Sequence, residues 1–206
     1  MRHKIFLIIF IILVLMMMGY ADNQVSMSIG GGLSGHTGDD SDYWEMGYTF
    51  SGIVLINLTP NIQIGGRIAY YKWKMDINRI FSAFHSSYQD LGYQISAKAS
   101  ITELSPTIRI LTNKFNKNKI KLFAQFSSGL YNLKTDTSIG KEKNGVSFSP
   151  LMDNKTKLGI NGGCGIIIGK VDDKIRFELL PQYHIVFYKD ENLKYFSFTI
   201  STLFDL

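Results

Sequence analysis

Residues 175–188, with the sequence IRFELLPQYHIVFY, decide the fold class of this chain. Apolar and polar residues alternate along most of this stretch, which is the period of a β-strand whose two faces meet different surroundings. One face carries the apolar and aromatic residues Ile175, Phe177, Leu179, Tyr183, Ile185 and Phe187. The other face carries the polar residues Arg176, Glu178, Gln182 and His184. The stretch therefore predicts a β-strand with one apolar face and one strongly polar face.

Further stretches along the chain read as strands of about ten residues, the length with which a tilted strand crosses a lipid bilayer. They lie at 24–33, 48–58, 62–73, 96–111, 120–132, 157–170 and 194–204. Most alternate between apolar and polar residues in the same way. In the stretch at 157–170, glycine and isoleucine occur on both sides, so its two faces stay unassigned.

The connections between these strands alternate in length. Long polar connections follow the first, third and fifth strands, at 34–47, 74–94 and 133–156, and tight turns follow the second, fourth and sixth strands. Outer-membrane barrels have long loops outside the cell and short turns in the periplasm. Together with the even strand number, this pattern predicts an all-β fold, an eight-stranded antiparallel up-and-down transmembrane β-barrel.

The first 21 residues have the pattern of a secretory signal peptide. A basic start at 2–4 precedes an unbroken apolar run at 5–18, and small residues follow at 19–21. We therefore expect a signal peptide at 1–21 and an outer-membrane β-barrel domain at 22–206. Removing Arg2 and Lys4 with the leader lowers the net charge from +5 to +3, which is too small to indicate a nucleic-acid partner. The single cysteine, Cys164, excludes a disulfide within the chain.

The polar faces of the strands predict a charged barrel interior. Its expected polar network consists of Arg67, Glu103, Arg109, Gln125, Arg176, Glu178 and His184. Eight-stranded barrels are filled by side chains, and buried charges must be paired. If the third and fourth strands form a hairpin centred near His85, Arg67 lies opposite Glu103 in a cross-strand salt bridge.

Aromatic residues collect near the predicted strand ends, as in the interfacial girdles of outer-membrane barrels. The predicted girdles contain Tyr48, Tyr70, Trp73, Phe187, Tyr188, Tyr195 and Phe196 on the outer side and Phe204 on the inner side. Pro106 and Pro181 fall inside predicted strands, where proline removes a ladder hydrogen bond, so we expect both to mark bulges.

Several stretches resemble the small outer-membrane β-barrel family, the OmpA/OmpX-like and opacity-type proteins. They are KYFSFTISTLF at 194–204, KLGINGGCGIIIG at 157–169, ELSPTIRIL at 103–111 and KLFAQFSSGLYN at 121–132. The resemblance covers essentially all of 22–206 and implies the same barrel fold. Members of the family usually end on an aromatic residue that the barrel-assembly machinery recognises, whereas here Asp205 and Leu206 follow Phe204.

No catalytic residue, cofactor site or metal site is predicted. The polar connection at 74–94 contains His85, Ser86, Ser87 and Asp90. These are residue types of a nucleophilic site, but no acidic partner lies at a suitable strand spacing. The aspartates at 39–42 lack the spaced ligand pattern of a calcium loop.

The predicted function is that of a small non-enzymatic outer-membrane barrel in a Gram-negative cell, with surface loops that serve adhesion, surface interaction or membrane integrity. One alternative is a barrel enzyme that modifies lipid A or phospholipid, and another is a soluble secreted lipid-binding β-barrel with an apolar interior. The expected partners are outer-membrane lipids and lipopolysaccharide, the barrel-assembly machinery, and an extracellular partner bound through the loops. We expect no nucleic acid, no cofactor and a monomeric protein.

Overall fold

The computed structural model describes residues 25–76, 93–112, 120–141, 151–169, 175–188 and 192–206. These residues form a closed barrel in which each of the eight strands pairs antiparallel with its sequence neighbours, and β1 pairs with β8. The strands are β1 (Val25–His36), β2 (Gly47–Thr59), β3 (Ile62–Lys74), β4 (Tyr93–Leu111), β5 (Ile120–Lys141), β6 (Leu151–Ile168), β7 (Ile175–Val186) and β8 (Leu193–Asp205). The predicted eight-stranded up-and-down barrel is therefore confirmed. No helix among the described residues is both long enough and apolar enough to span a membrane.

The two ends of the barrel differ in their connections. A short 3-10 helix at Asp39–Tyr43 lies between β1 and β2, and this end also holds the connections after β3, β5 and β7. We call it the loop end. The opposite end holds the two-residue turn between β2 and β3, the connections after β4 and β6, and the C-terminus, and we call it the turn end.

The alternation of the sequence becomes an alternation of burial. In β7, Arg176, Glu178, Leu180, Gln182 and His184 are buried inside the barrel, whereas the residues that alternate with them, such as Phe177 and Tyr183, are outside. The same rule settles the faces of β6, which the sequence left unassigned. Asn161 and Ile167 are buried in the interior, and Cys164 is exposed on the outer surface.

The predicted loop at 133–156 is wrong, because most of it is strand. β5 continues to Lys141 and β6 begins at Leu151, with pairing as far as Thr137 opposite Leu151. β4, β5 and β6 thus have 19, 22 and 18 residues, against 12 or 13 in the other strands. The extra length lies at the loop end, beyond the last pairs with β3 and β7. Both faces of this part of the sheet meet water, so polar residues occupy both. Without an alternation of apolar and polar residues, the sequence pattern does not predict a strand there.

The predicted bulges at the two prolines are also wrong. The β4–β5 register is the same on both sides of Pro106, and the β6–β7 register is the same opposite Pro181. Each proline leaves a gap in one ladder without shifting it. The register shift recorded between β2 and β3 lies instead beside the turn, between Asn57 and Thr59.

Candidate functional site

The centre of the barrel interior is organised around the carboxylate of Glu103. The Tyr71 hydroxyl donates a hydrogen bond to Glu103 Oε2 at 2.9 Å, and Ser105 Oγ and Asn161 Nδ2 donate to Oε1 at 2.6 and 2.8 Å. Arg67 Nη1 lies 3.6 Å from Oε2 in a salt bridge, and Arg67 Nη2 donates to the Tyr71 hydroxyl at 3.0 Å. Glu103 and Arg67 are completely buried, so each charge is neutralised within the interior.

Asn161 extends this central network across the barrel. Its Nδ2 also donates to the Tyr131 hydroxyl at 2.8 Å, and its Oδ1 accepts a hydrogen bond from Gln182 Nε2 at 2.9 Å. Because Asn161 on β6 also donates to Glu103, which contacts Arg67 and Tyr71 on β3, the network crosses the interior from β3 to β7 through side chains.

A second ion pair lies nearer the turn end. The Arg109 guanidinium contacts both carboxylate oxygens of Glu178 and donates to Gln125 Oε1 at 3.1 and 2.8 Å. Ser28 Oγ donates to Glu178 Oε2 at 2.8 Å, and Arg109 Cζ lies 4.2 Å from the centre of the Phe123 ring. Hydrogen bonds to two side chains and a cation–π contact with the Phe123 ring therefore fix the position of the Arg109 guanidinium.

A third ion pair lies at the turn end. The Arg176 guanidinium pairs with the carboxylate of Asp205, which also accepts a hydrogen bond from Ser26 Oγ at 2.9 Å. This pair is partly open to solvent, since the Asp205 side chain is 26% exposed. It connects β7, β8 and β1 where the barrel closes.

Aromatic rings fill the interior above the central network, towards the loop end. His184 stacks on Tyr195 with ring centres 4.4 Å apart, and Tyr71 and Trp73 each meet Tyr195 edge-on. His184 Nε2 is 2.9 Å from Ser197 Oγ, so the imidazole is held by both a hydrogen bond and stacking.

The prediction that Trp73 and Tyr195 belong to the outer girdle is therefore wrong. Trp73 is 1% exposed and Tyr195 is fully buried, and both point into the barrel. In β3, residue 73 is in phase with the inward residues Arg67 and Tyr71, and this phase decides the direction of its side chain.

The structure buries all seven residues of the predicted polar network inside the barrel. They are Arg67, Glu103, Arg109, Gln125, Arg176, Glu178 and His184. The predicted register of the hairpin is wrong by two residues, because Arg67 lies opposite Ser105 and Glu103 lies opposite Ala69. The Arg67–Glu103 salt bridge still forms because it runs diagonally across the ladder, where long side chains reach each other.

The members of these networks that are absent from the predicted set include Asn161, Tyr131 and Asp205. Asn161 was hidden in a stretch of glycine and isoleucine, where no alternation marks the inner face. Tyr131 lies near the end of the predicted fifth strand, and its burial required knowing that the strand continues. Asp205 follows the terminal aromatic, and only the closure of the barrel brings it to Arg176.

The interior holds its charges in paired, hydrogen-bonded positions that connect the walls, so its chemistry is structural. Within the described ranges, no group of three or more His, Cys, Asp or Glu side chains is arranged to hold a metal ion. The residues His85, Ser86, Ser87 and Asp90 lie outside the described residues, as does the predicted signal peptide at 1–21.

Comparison with known proteins identifies the fold. No protein-family model matches the sequence, and no curated protein sequence matches it. Solved structures with the same barrel include a major outer membrane protein from Thermus thermophilus. It is 8% identical to this chain, and the alignment covers 88% of this chain and 99% of that chain with a TM-score of 0.57. Neisserial surface protein A is 7% identical over 87% of this chain and 96% of that chain, with a TM-score of 0.54. OprG from Pseudomonas aeruginosa is 8% identical over 89% of this chain and 97% of that chain, with a TM-score of 0.52. The chain therefore has the fold of small outer-membrane β-barrels.

Proposed function

We propose that this protein is an integral β-barrel of a bacterial outer membrane, without enzymatic activity, whose loop end makes contacts outside the cell. The observation that carries the proposal is the inverted polarity of the barrel. Arg67, Glu103, Arg109 and Glu178 are buried inside, while large apolar side chains cover the outside. A barrel dissolved in water places apolar residues in the opposite direction.

The outer surface supports insertion into lipid. Phe50, Ile108, Phe177 and Ile200 are among the many large apolar residues that are between 41% and 61% exposed on the barrel wall. Monomeric soluble proteins rarely expose contiguous apolar surface on this scale. Moving apolar surface from water into hydrocarbon is favourable by about 25 cal/mol per Å², so each of these exposed areas favours insertion. Strands of 12 or 13 residues also exceed the length that a tilted strand needs to cross the bilayer.

The loop end supports a role in surface contacts. In outer-membrane barrels this end faces the exterior, and the short turns face the periplasm. There β4, β5 and β6 continue beyond their neighbours as a three-stranded extension, formed by 93–97, 134–141 and 151–158. Lys134, Asp136 and Asn154 are exposed on it. Such a projecting polar sheet suits adhesion or contact with the cell surface, and it is also where lipopolysaccharide sugars would lie.

Two alternatives receive less support from the described residues. A soluble lipid-binding barrel requires an apolar interior, whereas the centre of this one is filled by charged and hydrogen-bonded groups. A lipid-modifying enzyme would rely on His85, Ser87 and Asp90, which lie outside the described residues. We further propose that the barrel-assembly machinery inserts the protein as a monomer after removal of 1–21.

Membrane fractionation with heat modifiability tests the proposed location. The full chain is expressed in a Gram-negative host, and the outer-membrane fraction is run on a denaturing gel with and without boiling. We expect the unboiled protein to migrate faster, because a folded barrel resists detergent denaturation. Recovery in the soluble periplasmic fraction with no shift in migration would refute the membrane assignment.

A shortened hairpin tests the role of the extension. Thr135 and Asp153 lie directly opposite each other, so a two-residue Asn-Gly turn can replace 136–152 without changing the register. We expect the variant to keep its heat-modifiable migration and to lose at least tenfold in binding of whole cells to immobilised host-matrix or epithelial surfaces. A matched variant keeps the length of the hairpin but replaces 142–150 with Gly and Ser. It distinguishes the contribution of the paired strands to cell binding from that of the residues that connect them. Unchanged cell binding by the shortened protein would contradict the proposed role.

A further inference from the structure

A cavity opens at the loop end of the barrel, above the filled interior. Its volume is about 390 Å³, which lies in the range of small-molecule sites. Aromatic and aliphatic side chains that line it include His36, Trp44, Trp73, Ala99, Leu133 and Tyr188. Polar residues such as Ser100, Thr135 and Asn192 also line it, so the cavity offers aromatic rings beside polar groups.

The cavity ends blindly inside the barrel. Tyr71, Ile101, Tyr131 and Tyr195 form a cluster of completely or almost completely buried residues together with Trp73, which also lines the cavity. The Arg67–Glu103 network lies below this layer. A molecule that enters from the loop end would be held there and would meet closely packed side chains rather than a path through the barrel.

Aromatic rings form one side of the cavity wall. His36 is held between two rings, stacked on Trp44 at 4.9 Å and edge-on to Trp73 at 4.6 Å. The indole Nε1 of Trp73 and Nε2 of His36 are buried behind this wall, so a ligand in the cavity contacts the rings rather than these nitrogens.

The charge of the described residues that line the cavity favours an anion. None of the described residues that line it is acidic, whereas Lys134 and Lys194 lie at its rim, both exposed to solvent. Cations at the mouth of a low-dielectric cavity raise the local concentration of anions.

We propose that this cavity binds a small aromatic carboxylate. The ring packs against His36, Trp44 and Leu133, and the carboxylate lies towards Lys134 and Lys194 at the rim. The rim lysines favour the anion over a neutral molecule of the same shape. The site shares Lys134 and Thr135 with the extension, but ligand binding by the purified protein is measured independently of cell adhesion.

Intrinsic fluorescence reports on this site directly, since the chain has two tryptophans and both line the cavity. The purified protein in a non-ionic detergent is titrated with p-nitrobenzoate, a quencher of tryptophan emission. The matched neutral probe is p-nitrobenzyl alcohol, which has the same ring without the charge. We expect saturable quenching by the acid, with an affinity at least tenfold higher than that of the alcohol. Equal affinities, or quenching that rises linearly with both probes, would overturn the proposal.

Cavity-filling variants locate the binding. Ala99→Phe places a ring in the cavity, and Ala124→Phe makes the same change on the outer wall, where Ala124 is exposed. We expect Ala99→Phe to weaken p-nitrobenzoate binding at least tenfold and Ala124→Phe to leave it unchanged. Thr135→Phe, on the same cavity wall, serves if Ala99→Phe does not show the migration of a folded barrel. Equal binding by the cavity-filled and control proteins would refute the assignment.

Discussion

At the scale of single residues, Glu103 shows what a buried charge requires in this barrel. Its carboxylate accepts hydrogen bonds from Tyr71, Ser105 and Asn161 and pairs with Arg67. Each partner comes from a different position in the sequence, on β3, β4 or β6. The desolvation of both charges is offset only when all these contacts exist together, so the cost of removing one partner should exceed that of removing both.

Glu103→Ala tests this dependence. We expect it to lower the free energy of unfolding by about 3–5 kcal/mol, because it leaves the Arg67 guanidinium buried without its counter-ion. The double variant Glu103→Leu with Arg67→Met should recover most of this loss. Both are measured by denaturant unfolding of the protein in lipid vesicles.

Asp205→Ala is the matched control, because it also removes the carboxylate of an ion pair. The Asp205 side chain is 26% exposed and that of Arg176 is 10% exposed, so water replaces part of the lost interaction and the expected cost is clearly smaller than that of Glu103→Ala. A cost for Glu103→Ala no larger than that for Asp205→Ala would contradict the proposed importance of burial.

At the scale of elements, strand closure depends on small residues where β1 meets β8. A Cβ atom at Gly32 would lie 1.8 Å from the carbonyl oxygen of Phe198, because the two backbones approach closely at that point. A Cβ atom at Gly52, in β2, would have no neighbour nearer than 3.8 Å. Glycine is therefore required by close packing at position 32, whereas position 52 has room for a larger side chain.

Alanine at these two glycines should have opposite effects. We expect Gly32→Ala to lower the free energy of unfolding by about 1–3 kcal/mol, as overpacking does. Gly52→Ala should raise it by about 0.5 kcal/mol, since alanine loses less backbone entropy on folding. Unfolding in urea, followed by tryptophan fluorescence, measures both. Equal effects at the two positions would show that close strand approach is not what selects Gly32.

At the scale of the whole molecule, the barrel is a polar core enclosed by an apolar surface. The ion pairs lie at successive levels of the interior, and the aromatic cluster of Tyr71, Trp73 and Tyr195 closes it towards the loop end. Because the apolar side chains face outwards, we expect surrounding lipid to contribute to the free energy of folding.

The cost of a charged residue on the outer wall should depend on its depth in the bilayer. Ile68 is 48% exposed in the middle of β3, and Leu58 is 52% exposed near the turn end. We expect Ile68→Arg to cost about 2–4 kcal/mol in lipid vesicles and Leu58→Arg at most about 1 kcal/mol, because the cost depends on depth in the bilayer. Two exposed residues of a water-soluble protein would instead give equal and small changes.

The filled interior should block ion flow. We expect the protein to produce no steady current when reconstituted into planar lipid bilayers, since Arg67, Glu103, Arg109 and Glu178 occupy the lumen in fixed pairs. An empty-detergent control gives the baseline, and a large porin from the same host serves as the positive control. Stable open-channel steps would show that the interior opens in the membrane.

The sequence by itself determined the fold class, the number of strands, the faces of most strands and seven of the polar residues that enter the interior. It could do so because a strand has a period of two, and each polar or apolar side chain therefore reports the face on which it lies. It failed where that contrast is absent, as in the glycine-rich face of β6 and the polar extension of β5.

Only the tertiary structure decided which residues pair. Arg67 faces Ser105 rather than Glu103, Asp205 reaches Arg176 only through barrel closure, and Trp73 and Tyr195 lie inside rather than in a girdle. Register, closure and the direction of rings near the barrel mouth depend on contacts between strands distant in sequence, and no local pattern along one strand records them.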